Sequence, residues 1–408
     1  MLVFKIAFLN VLRNYRRSMI TILAIVFGCV TLIIFGGFTE GMYDGMKESM
    51  IRSRLGHIQI FKQGYNEFGQ VEPEKYMLSQ KEADQAIEII KNFKEIEIAT
   101  PRINFSGLLS NGNTSVGVMG SGIDADNEAL LNSAIQIVAG DDLFPEDSES
   151  VLVGEGLAKS LRVKAGDVLT LLASTVDGTV NAIDVEISGI ISTGVKEIDD
   201  RILRGNLPHI QNLLYTENIT RLVLLLTETK DTDAIRSALD QAFKKAGLQL
   251  ELKTWEELGT QYNKVVRLFD NLFGFIKIVV ILIVILGIAN TMMMAVMERT
   301  AEIGTIRALG NTRWEVLRLF LLEAIYLGLI GGVVGILMGI LISKGISSAG
   351  FVMPPPPGST SGFPIRIYVV PRFLWEAMLL GFSASFLSAI YPAIKASRLK
   401  IVDALRFN

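Results

Sequence analysis

Long apolar runs alternate with mixed segments along the chain, and the alternation divides the sequence. Four stretches are apolar enough, and close enough to the ~20 residues a bilayer demands, to cross a membrane as helices: residues 18–38, 278–297, 324–343 and 377–394. In the second, Asn290 and Thr291 are the main polar residues; beside the fourth, Phe373 and Trp375 suit a membrane interface. The alternative is a soluble protein with four buried helices, whose cores rarely hold so many charge-free runs of this length.

Residues 39–272 have a different rhythm. "HIQIF", "DVEISGIIS" and "RLVLLLTE" alternate or cluster β-branched and apolar residues as strands do. "QKEADQAIEIIKNF" and "TDAIRSALDQAFKKAG" have helical spacing, the second closing on Gly247 as a C-cap. A mixed α+β domain follows, large enough for one core or two small lobes. No proline interrupts residues 254–297. The pattern therefore predicts one helix from Trp255 into the second span, a stalk able to transmit movement.

The predicted organisation is an amphipathic segment over 1–17, a first transmembrane helix over 18–38 and the α+β domain with its stalk over 39–272. The second transmembrane helix covers 273–297 and a polar loop helix 298–315. The third transmembrane helix covers 316–343, a short loop 344–372, the fourth transmembrane helix 373–394 and a tail 395–408. In the first segment Val3, Ile6, Leu9 and either Val11 or Leu12 share a side, with Lys5, Arg13 and Arg16 placed for headgroups. That fits an elbow helix lying on a leaflet; a plain extension of the first span fits as well. Residues 353–364, "MPPPPGSTSGFP", read as a stiff, then flexible connector.

Net charge is −3 and says little, but its distribution orients the chain. Lys5, Arg13, Arg16 and Arg17 precede the first span without an acid. Arg299, Arg307, Arg313 and Arg318 follow the second, and Lys395, Arg398, Lys400 and Arg406 follow the fourth. Only Lys344, Arg366 and Arg372 lie between the third and fourth. The positive-inside rule then expects a multi-pass protein of the inner (plasma) membrane, with both termini and the loop helix cytoplasmic and the α+β domain outside. Cys29, the one cysteine, ends a "VFGC" stretch that resembles a lipoprotein cleavage site. The apolar run continues to Phe38, which a retained helix explains and a cleaved signal does not.

Candidate chemistry is sparse. "GEGLAKS" over 154–160 lacks the glycine that a phosphate loop needs directly before Lys159, because Ala158 stands there. It reads as a short surface helix. His57 and His209, the two histidines, have no metal-ligand spacing around them, and no nucleophile motif is present. No catalytic, cofactor or metal residue is assigned. In the third span Gly331, Gly335 and Gly339 repeat every four residues, as do Gly328 and Gly332. They predict one small-residue face for close helix packing, within the chain or across a dimer. Lys277 and Glu323 sit at span ends, so no ion relay is indicated.

The loop segment is the most informative. Met297, Glu298, Arg299 and Glu302 open it. Ile303, Ile306, Ala308 and Leu309 give an apolar stripe, and Gly310 with Asn311 gives a stop. Gly304 permits close approach, and Arg307 suits a carboxylate on a partner. Such a helix can lie on a leaflet or dock into a partner's groove.

"ERTAEIGTIRALGNTRWEV" closely resembles the signature of FtsX-type permeases, the membrane subunits of MacB-like and lipoprotein-releasing ABC transporters. "YPAIKASRLKIVDALRFN" resembles that family's closing pattern, with Ile401 where proline is common. "VLVGEGLAKSLRVKAGDVLTLL" resembles a recurring piece of its MacB-like periplasmic domain. The resemblance implies an α-helical membrane protein with four transmembrane helices and a large external α+β domain. It makes Met297–Gly310 the coupling helix that sits on an ATPase. No Walker loop is present, so a separate cytoplasmic ABC ATPase is implied, with ATP and magnesium bound there and no cofactor in this chain. A second permease copy or paralogue, membrane lipid and a periplasmic partner are the other expected partners, and nucleic acid is not. The expected role is that of a non-catalytic permease extracting lipoproteins or a similar lipidic cargo. Drug or peptide export with a periplasmic adaptor, and signal relay to a cell-wall hydrolase or sensor kinase, are the alternatives.

Overall fold

The structure is a computed structural model that describes residues 2–69, 71–131, 135–146, 149–353 and 363–405. Most of the connector 353–364, and Arg406, lie outside them. The chain forms two compact units. Met1–Asp44, Val265–Val352 and Pro364–Asn408 make the first, and Gly45–Lys264 with Met353–Phe363 the second.

The first unit holds the apolar helices. They run Tyr15–Met50, Thr260–Glu298, Arg313–Ser348 and Pro371–Ser397, and all four are long and apolar enough to span a membrane. Each exceeds its apolar window, because backbone hydrogen bonding continues wherever the flanking sequence tolerates helix. Their shared core contains Ile25, Cys29, Ile33, Val284, Ile288, Ala324, Ala377 and Ala384. Ile278, Leu282, Leu286, Leu341 and Leu379 point away from it, as suits lipid. Lys277 and Glu376 pair at 2.5 Å between the second and fourth spans.

The third-span glycines occupy two faces, where the spacing predicted one. A Cβ at Gly331, Gly335 or Gly339 would meet Ile25, Cys29 and Ile33 of the first span respectively, at 2.9, 2.6 and 2.8 Å. A Cβ at Gly328 would strike the Gly381 carbonyl at 2.7 Å, and one at Gly332 the Met378 sulfur at 2.9 Å, both on the fourth span. Successive residues turn by about 100°, so two stripes offset by three residues face different neighbours. The third span is therefore wedged between the first and fourth, all within one chain.

Among the described residues of the second unit, ten strands form one sheet system. β1 (Ile58–Lys62), β2 (Ile96–Ser110), β9 (Arg221–Leu226) and β10 (Leu250–Thr254) lie in the order β10-β1-β9-β2, antiparallel throughout. Helices Gln80–Ile90 and Thr232–Lys245 connect β1 to β2 and β9 to β10, a ferredoxin-like arrangement. β3 (Ser115–Ile123), β4 (Gln136–Gly140), β5 (Ser150–Gly154), β6 (Val168–Ser174), β7 (Val180–Ser192) and β8 (Ile202–Asn206) are inserted between β2 and β9. With β2 they close a ring, β2-β3-β8-β5-β7-β6, and leave β4 at an edge beside β7. Ile103, Leu109, Val118, Val151, Leu171, Val185, Ile187 and Leu203 fill its core. Leu157, Ala158 and Leu161 of helix Glu155–Leu161 join that core, so the helix expected at the surface is half embedded.

β9 explains its own unbroken apolar run. Leu222, Leu224 and Leu226 pack toward the two ferredoxin-like helices. Val223 and Leu225 pack on the opposite side with Ile51, Leu55, Ile98 and Trp255. A strand covered on both faces needs no polar alternation.

The predicted single stalk helix is interrupted. Glu257 accepts from the Thr254 backbone N–H at 3.1 Å and starts a separate helix, Trp255–Leu258. Gly259 (φ −80°, ψ 47°) then breaks the path before Thr260. A Cβ at Gly259 would lie 2.6 Å from the Met50 methyl and 2.8 Å from the Trp255 carbonyl.

The helix that begins at Tyr15 also ends in an unusual way. It passes into a five-residue π-helix, Ile51–Leu55, closed by Gly56 at φ +62°. Buried arginines meet its carbonyls: Arg102 donates to Arg54 O at 2.5 Å, and Arg204 to Ser53 O at 2.8 Å. Cations are favourable at a helix C-terminus, where carbonyls are left over. Arg102 also grips Glu128 with both arms at 2.5 and 2.6 Å, each side chain only 2% exposed. Burial beside Arg102 lowers the Arg204 pKa to about 10.

His57 completes this junction. Its Nδ1 accepts from the Leu226 N–H at 3.0 Å, which leaves the proton on Nε2. Nε2 donates to the Thr229 hydroxyl, which donates to Glu48, each at 3.0 Å. Burial pushes the imidazole pKa down to about 4. His209 sits on helix Leu207–Leu214, its pKa also lowered by burial.

Candidate functional site

The polar loop between the second and third spans contains a nine-residue helix, Thr300–Ala308. Its start is a break: Glu298 ends the preceding helix and Arg299 adopts φ −98°, ψ 12°. Its end is a Schellman motif. Gly310 takes φ +106°, its N–H donates to Arg307 O at 3.2 Å, and the Asn311 N–H donates to Ile306 O at 3.3 Å. Thr312 and Glu315 then form a reciprocal capping box that starts helix Arg313–Ser348.

One side of the loop helix belongs to the chain itself. Ile303 packs with Val296, Val316, Phe320, Ala393 and Ala396. Gly304 and Thr300 are buried too. Arg299 is buried and donates to both Glu323 oxygens, at 3.0 and 3.2 Å. Glu323 also accepts from Asn10 Nδ2 at 2.6 Å, and the Asn10 carbonyl receives a second arm of Arg299 at 3.5 Å. Arg307 donates to the Leu399 carbonyl. At the rim, Arg13 pairs with Glu302 at 2.9 Å and Arg17 with Glu298.

The other side is open. Thr305, Ile306, Ala308, Leu309 and Gly310 are exposed, Leu309 at 81%. Trp314, one turn into the next helix, is 70% exposed.

The predicted site residues thus fall into two sets. Met297, Ile306, Leu309 and Gly310 are exposed and open to a partner, and Glu298 and Glu302 are exposed but paired with Arg17 and Arg13. Arg299, Ile303 and Gly304 are turned inward, and Arg307 is engaged by its own tail. The single docking stripe of the sequence is therefore corrected: its first member, Ile303, is core. Gly304 cannot offer bare backbone to another molecule, and Arg307 already has an acceptor. Trp314 escaped the sequence reading, although "NTRWE" carries the T-x-x-E cap that places it.

The chain is similar to known sequences along most of its length. Residues 18–242 match the MacB-like periplasmic core domain, and residues 274–401 match the FtsX-like permease C-terminal region. An uncharacterized ABC transporter permease of Methanocaldococcus jannaschii is 23% identical over 98% of this chain and 96% of its own length. The lipoprotein-releasing system transmembrane protein LolC of Neisseria meningitidis is 23% identical over 78% of this chain and 80% of its own. The macrolide export ATP-binding/permease protein MacB of Campylobacter jejuni is 23% identical over 98% of this chain, which spans 61% of that longer protein. The first match alone covers more than half of the sequence, and the chain has four membrane-length helices and a mixed-sheet domain: it belongs to the MacB-like, FtsX-like family of ABC transporter permeases.

Proposed function

We propose that this permease couples ATP hydrolysis by a separate cytoplasmic ATPase to movement of its α+β domain, and extracts lipoproteins or a similar lipidic cargo from the inner membrane. The supporting observation is the two-sided loop helix: one side is fixed to its own chain, and the other presents Ile306, Leu309 and Trp314. An apolar helix end rimmed by charges suits a groove on a folded partner. The arginines around it support a cytoplasmic position for this end and an external one for the α+β domain. ATP and magnesium then bind in the ATPase, and a second permease copy or paralogue completes the assembly. The name of the LolC relative and the apolar outer faces of the spans favour a lipid-anchored cargo. Drug or peptide export is the second reading, favoured by the MacB alignment across 98% of this chain.

Leu309→Asp with Trp314→Asp, in the full chain, should leave insertion intact but abolish co-purification of the ATPase that accompanies the unaltered protein. Unchanged association would sink the docking assignment. A photo-crosslinker at Ile34 or Ile283 should trap lipoprotein; Ile33 is unsuitable, being packed on Gly339. Crosslinks confined to a periplasmic adaptor would favour the second reading. For orientation, a cysteine at Ser115 should react with an impermeant thiol reagent in intact cells, and one at Thr312 should not.

A further inference from the structure

We propose that Arg299, Glu323 and Asn10 form the joint that sets the direction of the loop helix, and that Arg299 is a positioning residue for coupling. The proposal rests on the permease reading above and adds the device that would carry motion out of the docking end.

Three separate segments converge on one carboxylate. Arg299 is the residue at which the second span stops and the loop helix begins. Glu323 is on the third span, and Asn10 is on the amino-terminal helix Leu2–Arg13. Glu323 receives Arg299 at 3.0 and 3.2 Å and Asn10 at 2.6 Å, while the second arm of Arg299 reaches the Asn10 carbonyl. Both charged side chains are at most 10% exposed. A helix break placed at solvent would leave two rods free to swing about it. Here the break is occupied by a planar guanidinium whose donors fix direction as well as distance. The rim pairs Arg13–Glu302 and Arg17–Glu298 repeat the same linkage between the amino-terminal segment and the loop, the first in solvent, where such pairs hold weakly, and the second with its Glu298 side still exposed. The buried pair is thus the stiff element.

Packing alone does not require it. Buried ion pairs can often be replaced by apolar side chains of similar volume without loss of stability, whereas removal of one partner strands a charge. That asymmetry separates a positioning role from a structural one. Arg299→Leu/Glu323→Leu should keep the melting temperature of the full chain in lipid nanodiscs within a few degrees of the parent. Hydrogen exchange of the amides over Thr300–Ala308 should nonetheless rise about tenfold or more, as local opening becomes easier. Arg299→Lys keeps the charge but not the fork, and should give a smaller rise in the same amides. Wild-type exchange in the double variant, or in Arg299→Lys and the double variant alike, would overturn the joint. Exchange is read without an ATPase, so it judges the joint alone. The permease reading is judged separately by adding the co-purifying ATPase: the double variant should still bind it while its stimulation of ATP hydrolysis falls about tenfold, in line with the loosened joint. Full stimulation in that variant would also overturn the positioning role, whereas absence of binding by the unaltered chain would count against the docking reading and leave the exchange result standing.

Discussion

Each unit of this protein contains a buried arginine–carboxylate pair at the end of a helix that comes from a span, and the two pairs differ in company. Arg102–Glu128 lies in the α+β unit, where Arg102 and Arg204 close over the carbonyls of Ile51–Leu55. Arg299–Glu323 lies in the helical unit and sits at a break between two helices. The first is surrounded by sheet core and more guanidinium; the second has solvent-exposed ion pairs at its rim. Both restrain the end of a long helix with a directional bond, where apolar contact alone would let it slide. The difference teaches where movement is resisted: an anchor in the first case, a joint in the second.

The largest expected effect breaks the anchor. Glu128→Leu leaves Arg102 buried beside Arg204 without its carboxylate, and the full chain should lose about 3–5 kcal/mol in chemical denaturation. A loss below ~1 kcal/mol would mean that water or another acid already serves Arg102.

Next comes pH, which should act on the anchor. His57 belongs to the anchor, and its folded pKa of about 4 lies below the usual 6.5. As pH falls below 6.5 the unfolded chain takes up a proton that the folded chain refuses. Stability from this group is therefore complete above pH 6.5 and is lost progressively down to about pH 4, by roughly 2–3 kcal/mol. His57→Gln should remove that component of the pH profile.

A smaller effect concerns the helical unit without touching charge. Gly335→Val would drive a side chain into Cys29 and should cost about 1–3 kcal/mol by overpacking. Gly345→Ala, where a Cβ would meet nothing within 4 Å among the described residues, should be neutral or stabilising. Equal costs at both positions would deny the close approach of the first and third spans. Smallest of all, Leu309→Asp should shift stability by less than ~0.5 kcal/mol, as expected for an exposed site, while ATPase association is lost.

The four spans, the α+β character of residues 39–272 and the loop helix were legible because each rests on local periodicity. What stayed hidden is non-local. The loop helix has apolar residues on more than one side, so its period cannot say that Ile303 faces inward and Leu309 outward; Phe320 and Ala393 decide that from elsewhere in the chain. Glu323 read as a span-end charge because nothing near it in sequence names Arg299 or Asn10 as partner. The ring of strands depends on β6 pairing with both β2 and β7, which no single strand reveals. The proline-free run 254–297 contains Gly259, and one glycine costs a helix only about 1 kcal/mol; the capping residues before it and the Met50 side chain make it a break.

The glycine stripe on the third span implies a stride. Gly331, Gly335 and Gly339 meet Ile25, Cys29 and Ile33 in step, both series advancing by four residues in the same direction. The next member of the third-span series, Ser343, is also small and fully buried. If the third span shifted by four residues, about 6 Å, Gly335 would come opposite Ile25, Gly339 opposite Cys29 and Ser343 opposite Ile33. Small residues would again face large ones. A half-turn shift would instead bring the gaps between the glycines, and not the glycines themselves, opposite those side chains. Two helices with this spacing have discrete, ratchet-like registers, so any sliding between them is counted in turns rather than spread over a continuum.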